Sequence, residues 1–166
     1  MQQEFGAPWS LKLKAITAAT LAVGLYAVYR EPGWGVLVLV GVALFSAAFA
    51  IRGYRVADGR LSILHWGRTT SFDLATLDRV EVQIGATLGS VRTMGIGGLF
   101  SFAGHFYNSS LGAYKAYATN DLNTVVLVLN GKTLVVTPDN PAAFADAVEA
   151  ASLHRKQHAE ADPAGS

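Results

Sequence analysis

Residues 124–141 read TVVLVLNGKTLVVTPDNP, and this stretch decides the fold of the second half of the chain. Two runs rich in Val, Leu and Thr flank Asn130-Gly131, a pair that accepts the positive φ angles of a two-residue β-turn. After the second run, Asn140 is a good helix N-cap and Pro141 suits the first helical position. The stretch therefore predicts a β-hairpin followed by a helix that ends near residue 153.

More strands are predicted upstream of this hairpin. Asp58-Gly59 joins two extended runs, 54–57 and 60–66, and is a second hairpin turn. Further strands are predicted at 68–72, 78–84 and 114–119, and in 78–84 the residues Val80, Val82 and Ile84 alternate onto one face. Six or seven antiparallel strands and one C-terminal helix indicate an α+β barrel or sandwich over 53–153, and the polar residues 154–166 are predicted to be a disordered tail.

The first 52 residues differ sharply in composition from the rest. They carry six charged side chains, whereas residues 53–166 carry nineteen. Residues 15–29 and 32–51 have no charge, and about 20 apolar residues suffice for a helix to cross a bilayer. We therefore expect 1–52 to form a transmembrane helical hairpin, with spans of about 11–29 and 33–51. The expected anchors at the membrane interface are aromatic and basic side chains, namely Trp9, Lys12, Lys14, Trp34 and Arg52.

The basic residues near the two spans also predict an orientation. Lys12 and Lys14 precede the hairpin, Arg52, Arg55 and Arg60 follow it, and the turn between the spans holds one Arg beside one Glu. Because Lys and Arg concentrate on the cytoplasmic side of membranes, we expect an integral membrane protein with both termini in the cytoplasm.

Several segments, in this order, resemble the bacterial pleckstrin-homology (PH)-like domains carried on short membrane anchors. They are Tyr54-Arg55-Val56 with the Asp-Gly turn, the Gly- and aromatic-rich residues 97–107, Ala116 to Asn120, the final hairpin, and 137–141 leading into the helix. The resemblance covers 53–153 and implies a curved seven-strand sheet closed at one end by the C-terminal helix, in a protein of the bacterial cytoplasmic membrane. One departure is the first loop, Ala57-Asp58-Gly59: phosphoinositide-binding relatives place several Lys and Arg there, so a tight anionic headgroup site in that loop is not expected.

The Gly- and aromatic-rich region 85–110 is the candidate functional segment. No Lys follows its glycines as a phosphate-binding loop requires, and strand-rich flanks exclude a dinucleotide fingerprint. It is predicted to be either a long loop between strands or an apolar patch that folds into the core, meets a partner or rests on a bilayer. We expect part of its aromatic group to be exposed. The candidate residues are Arg92, Leu99, Phe100, Phe102, His105, Phe106 and Tyr107.

The composition argues against several other functions. The chain has no Cys, so thiolate chemistry and disulfides are excluded. Residues 53–166 have a net charge of −1, without the basic surface of a nucleic-acid-binding protein. His154 and His158 have a spacing that could hold a metal weakly, but basic groups are favourable at a helix C-terminus in any case. No motif of a hydrolase or metalloprotease is present, and the sequence predicts no catalytic site, no metal site and no cofactor.

Two functions follow as hypotheses. The first is a membrane-tethered, non-catalytic interaction or assembly module at the cytoplasmic face, which docks a protein partner or another copy of itself. The alternative is a lipid- or small-ligand-binding domain in which loop 85–110 gates a pocket, with Arg92, His105 and Tyr107 as polar contacts. An enzyme dependent on His65 or His105 is a third and weaker hypothesis. We also expect residues 53–166 to fold without the hairpin.

Overall fold

The computed structural model describes residues 2–30, 33–48, 50–97, 102–120 and 122–161. In the described residues a short strand precedes two helices, nine more strands follow, and a third helix closes the chain. The elements are β1 (Gln3–Gly6), α1 (Leu11–Arg30), α2 (Trp34–Ala48), β2 (Ile51–Ala57), β3 (Arg60–His65), β4 (Thr69–Asp73), β5 (Leu77–Val82), β6 (Val91–Gly97), β7 (Phe102–Asn108), β8 (Gly112–Ala118), β9 (Val125–Leu129), β10 (Lys132–Val136) and α3 (Pro141–Ala161).

The strands form two sheets that pack face to face. Their orders are β1-β2-β3-β4 and β5-β9-β10-β8-β7-β6. Both sheets and α3 contribute to one core, whose large buried members include Tyr54, Ile63, Leu127, Val136 and Phe144. The α+β prediction of a sandwich-like body with a C-terminal helix is confirmed.

Both predicted hairpin turns are present. The φ angles are 51° at Asp58 and 69° at Gly59, and 48° at Asn130 and 71° at Gly131. Positive φ at both central residues belongs to the type I′ turn, which matches the twist of the flanking strands.

The larger sheet differs from the expected antiparallel order in one place. β8 and β10 are parallel neighbours, with Thr133 opposite Tyr114 and Val136 opposite Tyr117. β9 does not pair with β8. Instead, β10 follows β9 through a hairpin turn and pairs with both strands, so it lies between them in the sheet. Local sequence patterns carry no signal for this strand order.

The predicted face of 78–84 forms only in part. β5 ends at Val82, and Val80 packs against the core. Ile84 lies beyond the strand and is exposed. The alternation of apolar residues in the sequence therefore extends two residues beyond the end of the strand.

Helix α3 begins as predicted and ends later than predicted. Ala143 N donates to the Asn140 side-chain oxygen at 3.2 Å, which is the expected N-cap. The helix continues to Ala161, so the prediction of disorder is wrong for residues 154–161. This segment is rich in good helix formers, and Lys156 Nζ donates to the Leu77 carbonyl oxygen at 2.7 Å, which ties it to the sheet.

Strand β1 was not predicted. It pairs antiparallel with β2, with Phe5 opposite Tyr54 and Gly6 opposite Gly53. A run of four residues, Gln-Glu-Phe-Gly, is too short to show strand periodicity. The predicted domain boundary at residue 52 therefore does not coincide with the edge of the sheet, because residues 3–6 belong to it.

We expect Gly53→Ala to loosen β1. A Cβ at Gly53 would lie 2.6 Å from the Phe5 carbonyl oxygen, a backbone atom that cannot rotate away. The free energy of unfolding should fall by about 1–3 kcal/mol, as for overpacked sites, and amide exchange should accelerate in residues 3–6. Gly67→Ala is the matched control, since nothing lies within 4 Å of a Cβ there. Equal exchange rates in the two variants would contradict the prediction.

The expectation of an integral membrane protein is wrong. Among the described residues, no helix is both long and apolar enough to span a membrane. Helix α2 has 15 residues, about 22 Å at 1.5 Å per residue, against a hydrocarbon core of about 30 Å. Helix α1 has 20 residues but includes Lys12, Lys14 and Arg30. Helix α1 thus covers its predicted span but carries three charges, whereas α2 is shorter than the predicted span of 33–51.

Candidate functional site

The described residues of region 85–110 form a turn and two paired strands, β6 and β7, rather than a long loop. Residues 85–90 form tight turns, with φ of 73° at Gly85 and 71° at Gly89. The chain then pairs β6 with β7, and Val91 lies opposite Tyr107. The many glycines hid the strand pattern, because glycine is depleted in strands and typical of loops.

A cleft lies on the face of the larger sheet that points away from the sandwich core. Alternation along β8 places Tyr114 and Ala116 on this face and Tyr117 on the core face. The cleft has a volume of about 400 Å³. It is lined by one side chain of α1, the turn before β6, and three neighbouring strands, namely Ile16, Thr87, Leu88, Gly89, Ser90, Arg92, Phe106, Tyr114, Ala116 and Ala118.

A buried polar network fixes the turn beside the cleft. Asn108 is buried, and its Nδ2 donates to the Ala86 carbonyl oxygen at 2.8 Å and to Ser90 Oγ at 3.0 Å. Its Oδ1 accepts from the backbone N–H of Leu111 at 2.7 Å. The Tyr114 hydroxyl also donates to Ser90 Oγ, at 2.6 Å. Ser90 is therefore held on the cleft wall by two donors from two different strands.

The protonation state of Tyr114 follows from its surroundings. Burial raises the pKa of Tyr114, and the hydrogen bond to Ser90 offsets this only in part. The phenol consequently stays neutral at physiological pH and places no negative charge beside the cleft.

Among the described residues that line the cleft, Arg92 is the only charged one. Its guanidinium carbon lies 5.6 Å from the centroid of the Phe106 ring, a cation–π contact. Phe106 in turn stacks on Tyr114, with ring centroids 5.8 Å apart. No ion pair joins Arg92 to a carboxylate in the described part of the chain. The cleft thus combines an aromatic floor with an uncompensated cation at its rim.

The structure brings together only part of the predicted site. Arg92 and Phe106 line the cleft, whereas His105 and Tyr107 lie on the opposite face of β7 and are exposed. Leu99 and Phe100 lie outside the described residues; Phe102 begins β7, and its side chain is not described. Ser90, Tyr114 and Ile16 were missed. Only Tyr114 carried a sequence signal, because it alternates with Ala116 and Ala118 along a predicted strand.

The helical hairpin presents a second candidate surface. Its two helices pack closely. A Cβ at Gly35 of α2 would lie only 3.1 Å from the Ala27 carbonyl oxygen and from Val28 Cα of α1. Many large apolar side chains remain exposed; in α1 they are Leu11, Ile16, Leu21, Val23, Leu25, Tyr26 and Tyr29, and in α2 they are Trp34, Val36, Leu37, Val38, Val40 and Leu44. We call these side chains, apart from Ile16 in the cleft, the hairpin surface.

The predicted membrane anchors have other surroundings in the structure. Arg52 lies on β2, with its guanidinium carbon 5.0 Å from the centroid of the Trp66 ring. Trp34 begins α2 and is 80% exposed. Trp9 is half-buried before α1, Lys14 is exposed in its first turn, and the side chain of Lys12 is not described.

The histidines that the sequence singled out are dispersed. His65 is buried on β3, with its ring centroid 5.9 Å from that of Tyr117. His105 lies on β7 and His154 on α3. Among the described residues, no three His, Cys, Asp or Glu side chains are grouped as a metal site would require.

A family model for the bacterial PH domain matches residues 52–152, more than half of the chain. The chain belongs to the bacterial PH domain family. The PH-like part of the sequence resemblance is thereby confirmed. PH domains are generally non-catalytic and typically mediate interactions with proteins or lipids. Membership of this family therefore suggests a non-catalytic interaction module. No curated protein and no solved structure matches the chain.

Proposed function

We propose that this bacterial PH domain is a non-catalytic assembly module that binds a second copy of itself through the hairpin surface. The observation that carries the proposal is the exposure of large apolar side chains along both helices, such as Leu25 at 63% and Leu37 at 64%. Monomeric soluble proteins rarely expose apolar patches larger than a few hundred Å². A surface of this kind is typical of an interface.

The chemistry of the surface favours a second copy over a polar partner. No charged residue occurs in 15–29 or 33–48, so charge complementarity cannot select a different protein. A second hairpin is equally apolar, and two hairpins related by a two-fold axis would form a four-helix bundle. Gly41 has open space within 4 Å of its Cβ position, which leaves room for the close approach of another helix.

The way in which the hairpin is attached supports the same proposal. β1 pairs with β2 just before α1, and Ser10 N donates to the Thr119 carbonyl oxygen at 2.8 Å. Thr119 Oγ1 donates to the Pro8 carbonyl oxygen at 2.9 Å. At the other end, β2 begins shortly after α2. A surface fixed at both ends loses less conformational freedom on association than a flexible one.

The test is the mass of the full chain by sedimentation in detergent-free buffer. We expect a dimer for the wild type, and for Leu25→Glu/Leu37→Glu a dissociation constant raised on the order of 100-fold, which corresponds to about 2.7 kcal/mol. Leu122→Glu is the control, because Leu122 is equally exposed, at 60%, but lies outside the hairpin.

Two results would overturn the proposal. One is a wild-type chain that stays monomeric at about 100 μM, well above the dissociation constants of stable dimers. The other is a monomer that floats with neutral phosphatidylcholine vesicles through the same two leucines, which would make a lipid surface the occupant of the hairpin surface.

A further inference from the structure

We propose that the cleft between α1 and strands β6–β8 binds a small amphipathic carboxylate. Its apolar body would lie against Ile16, Phe106 and Ala116, and its carboxylate would bind Arg92 and the Ser90 hydroxyl. This site is separate from the hairpin surface, and the proposal does not depend on self-association.

The size and lining of the cleft suit a small molecule. Its volume of about 400 Å³ lies within the range of about 300–1,000 Å³ that is usual for ligand sites. Five of the ten described lining residues are apolar, namely Ile16, Leu88, Phe106, Ala116 and Ala118, and four carry polar groups, namely Thr87, Ser90, Arg92 and Tyr114. Ligand pockets generally combine an apolar wall with a few placed polar groups that fix orientation.

Ser90 has a proton available for a ligand. A serine hydroxyl offers one donor and two acceptor positions. Both acceptor positions of Ser90 Oγ are used, by Asn108 Nδ2 and by the Tyr114 hydroxyl. Within the described residues, no hydrogen bond uses the Ser90 hydroxyl as a donor. A ligand oxygen in the cleft would complete its hydrogen bonding.

The charge of the cleft selects an anion. In the described part of the chain, Arg92 is the only charged residue that lines it, and no carboxylate does. A guanidinium matches the planar geometry of a carboxylate and binds it through two parallel hydrogen bonds. A phosphate or a multiply charged headgroup would bring more charge than a single arginine balances. A single arginine beside the Ser90 hydroxyl therefore favours a monocarboxylate.

The cleft is distinct from the turn at the start of the domain where phosphoinositide-binding relatives carry basic residues. Here that turn is Asp58-Gly59, between β2 and β3 in the smaller sheet. The cleft lies on the larger sheet, beside β6, β7 and β8.

The experiment is a calorimetric titration of the full chain with decanoate, with decanol and decyltrimethylammonium as probes of equal chain length. We expect decanoate to bind and the two other probes to bind at least 10-fold more weakly, because they lack the anion. Arg92→Gln should raise the dissociation constant for decanoate about 10-fold, and Ser90→Ala about 3-fold or more, as for lost hydrogen bonds to a charged group. Ile16→Trp should abolish binding by filling the cleft.

Two controls separate binding in the cleft from binding elsewhere on the chain. Arg60→Gln removes an exposed arginine of β3 and should leave the affinity unchanged. Leu25→Glu/Leu37→Glu should also retain decanoate binding, which distinguishes the cleft from adsorption to the hairpin surface. The proposal is overturned if decanol binds as tightly as decanoate, if Arg92→Gln has no effect, or if no binding is detected at about 1 mM.

Discussion

Phe144→Ala is expected to lower the free energy of unfolding by about 3–5 kcal/mol, the cost of removing a fully buried phenylalanine. Phe144 is 0% exposed. Its ring contacts two others edge to face, with centroids 5.2 Å from Phe5 and 5.9 Å from Tyr54. One side chain of α3 therefore joins β1 and β2, and its loss leaves a cavity where three elements meet.

Urea unfolding of the full chain measures this effect. Leu153→Ala is the matched control on the same helix, because Leu153 is 56% exposed and exposed substitutions change stability by about 0.5 kcal/mol or less. A loss below about 1 kcal/mol for Phe144→Ala would mean that α3 does not close the core.

The elements that the sequence predicted are those set by local chemistry. Asp58-Gly59 and Asn130-Gly131 specify their turns because few residue pairs accept positive φ twice in succession. Asn140 and Pro141 specify the start of α3 because each satisfies a requirement of the first helical turn. These signals depend only on neighbouring residues, so they can be recognised without knowledge of the tertiary structure.

The elements that the sequence missed depend on distant partners. β1 is a strand because β2 offers it a free edge, and Phe5 gains burial only when α3 brings Phe144 to it. β6 and β7 form despite their glycines because β8 extends the sheet to receive them. The parallel pairing of β8 with β10 likewise follows from strand order. The partners of β1 and β10 lie outside any local window of sequence, whereas β8 follows β7 closely and the glycines of β6 and β7 hid that pairing.

The first 52 residues show how apolar composition can mislead. The absence of charge predicted two membrane spans. However, α2 is short and α1 carries three charges, so no helix of the described residues is both long and apolar enough to span a membrane. The same residues nevertheless leave an apolar surface on the described helices. The composition predicted where the apolar surface lies, but it did not predict whether the helices could span a membrane.

The candidate cleft was only half visible in the sequence. Arg92 and Phe106 were selected as a cation and an aromatic in an unusual segment, and both line the cleft. Ser90 is an ordinary serine until Asn108 and Tyr114 converge on its oxygen. Ile16 was assigned to a membrane span rather than to a cleft wall. A cleft between distant segments can be recognised only after the strands are placed.

The outer face of the larger sheet and helix α1 connect the two proposed surfaces. One of its faces packs on the smaller sheet and α3, while the other carries a smaller cluster that includes Tyr114, Ala116 and Val135. The small side chains of Ala116 and Ala118 leave the cleft open beneath Ile16. Helix α1 thus contributes one residue to the cleft and its other large, exposed apolar side chains to the hairpin surface.

Stability in alkaline solution is expected to depend on Tyr54. Burial raises the pKa of Tyr54 to about 12 from 10.0, against the opposing effect of hydrogen bonds with Thr137. The Tyr54 hydroxyl donates to the Tyr117 carbonyl oxygen at 2.7 Å and accepts from the Thr137 backbone N–H at 3.2 Å. An ionised oxygen could not donate to Tyr117, and its charge would be buried, which is unfavourable.

The sign of the effect follows from the two pKa values. Below pH 10 Tyr54 is neutral in the folded and the unfolded chain, so it adds no pH dependence. Between pH 10 and 12 the unfolded chain releases the proton more readily than the folded chain, and the free energy of unfolding falls by up to about 1.4 kcal/mol per pH unit. The full loss is about 3 kcal/mol by pH 12.

Tyr54→Phe isolates this contribution. At pH 8 the variant should be less stable than the wild type by about 1–3 kcal/mol, because the Tyr117 carbonyl and the Thr137 N–H lose their partner. From pH 10 to 11 its stability should decline less than that of the wild type, by about 1 kcal/mol, since other titrating groups are common to both chains. Urea unfolding of both chains at pH 8, 10 and 11 measures the difference. Parallel declines would show that Tyr54 ionises as readily in the folded chain as in the unfolded one, and that its hydroxyl is not sealed in the core.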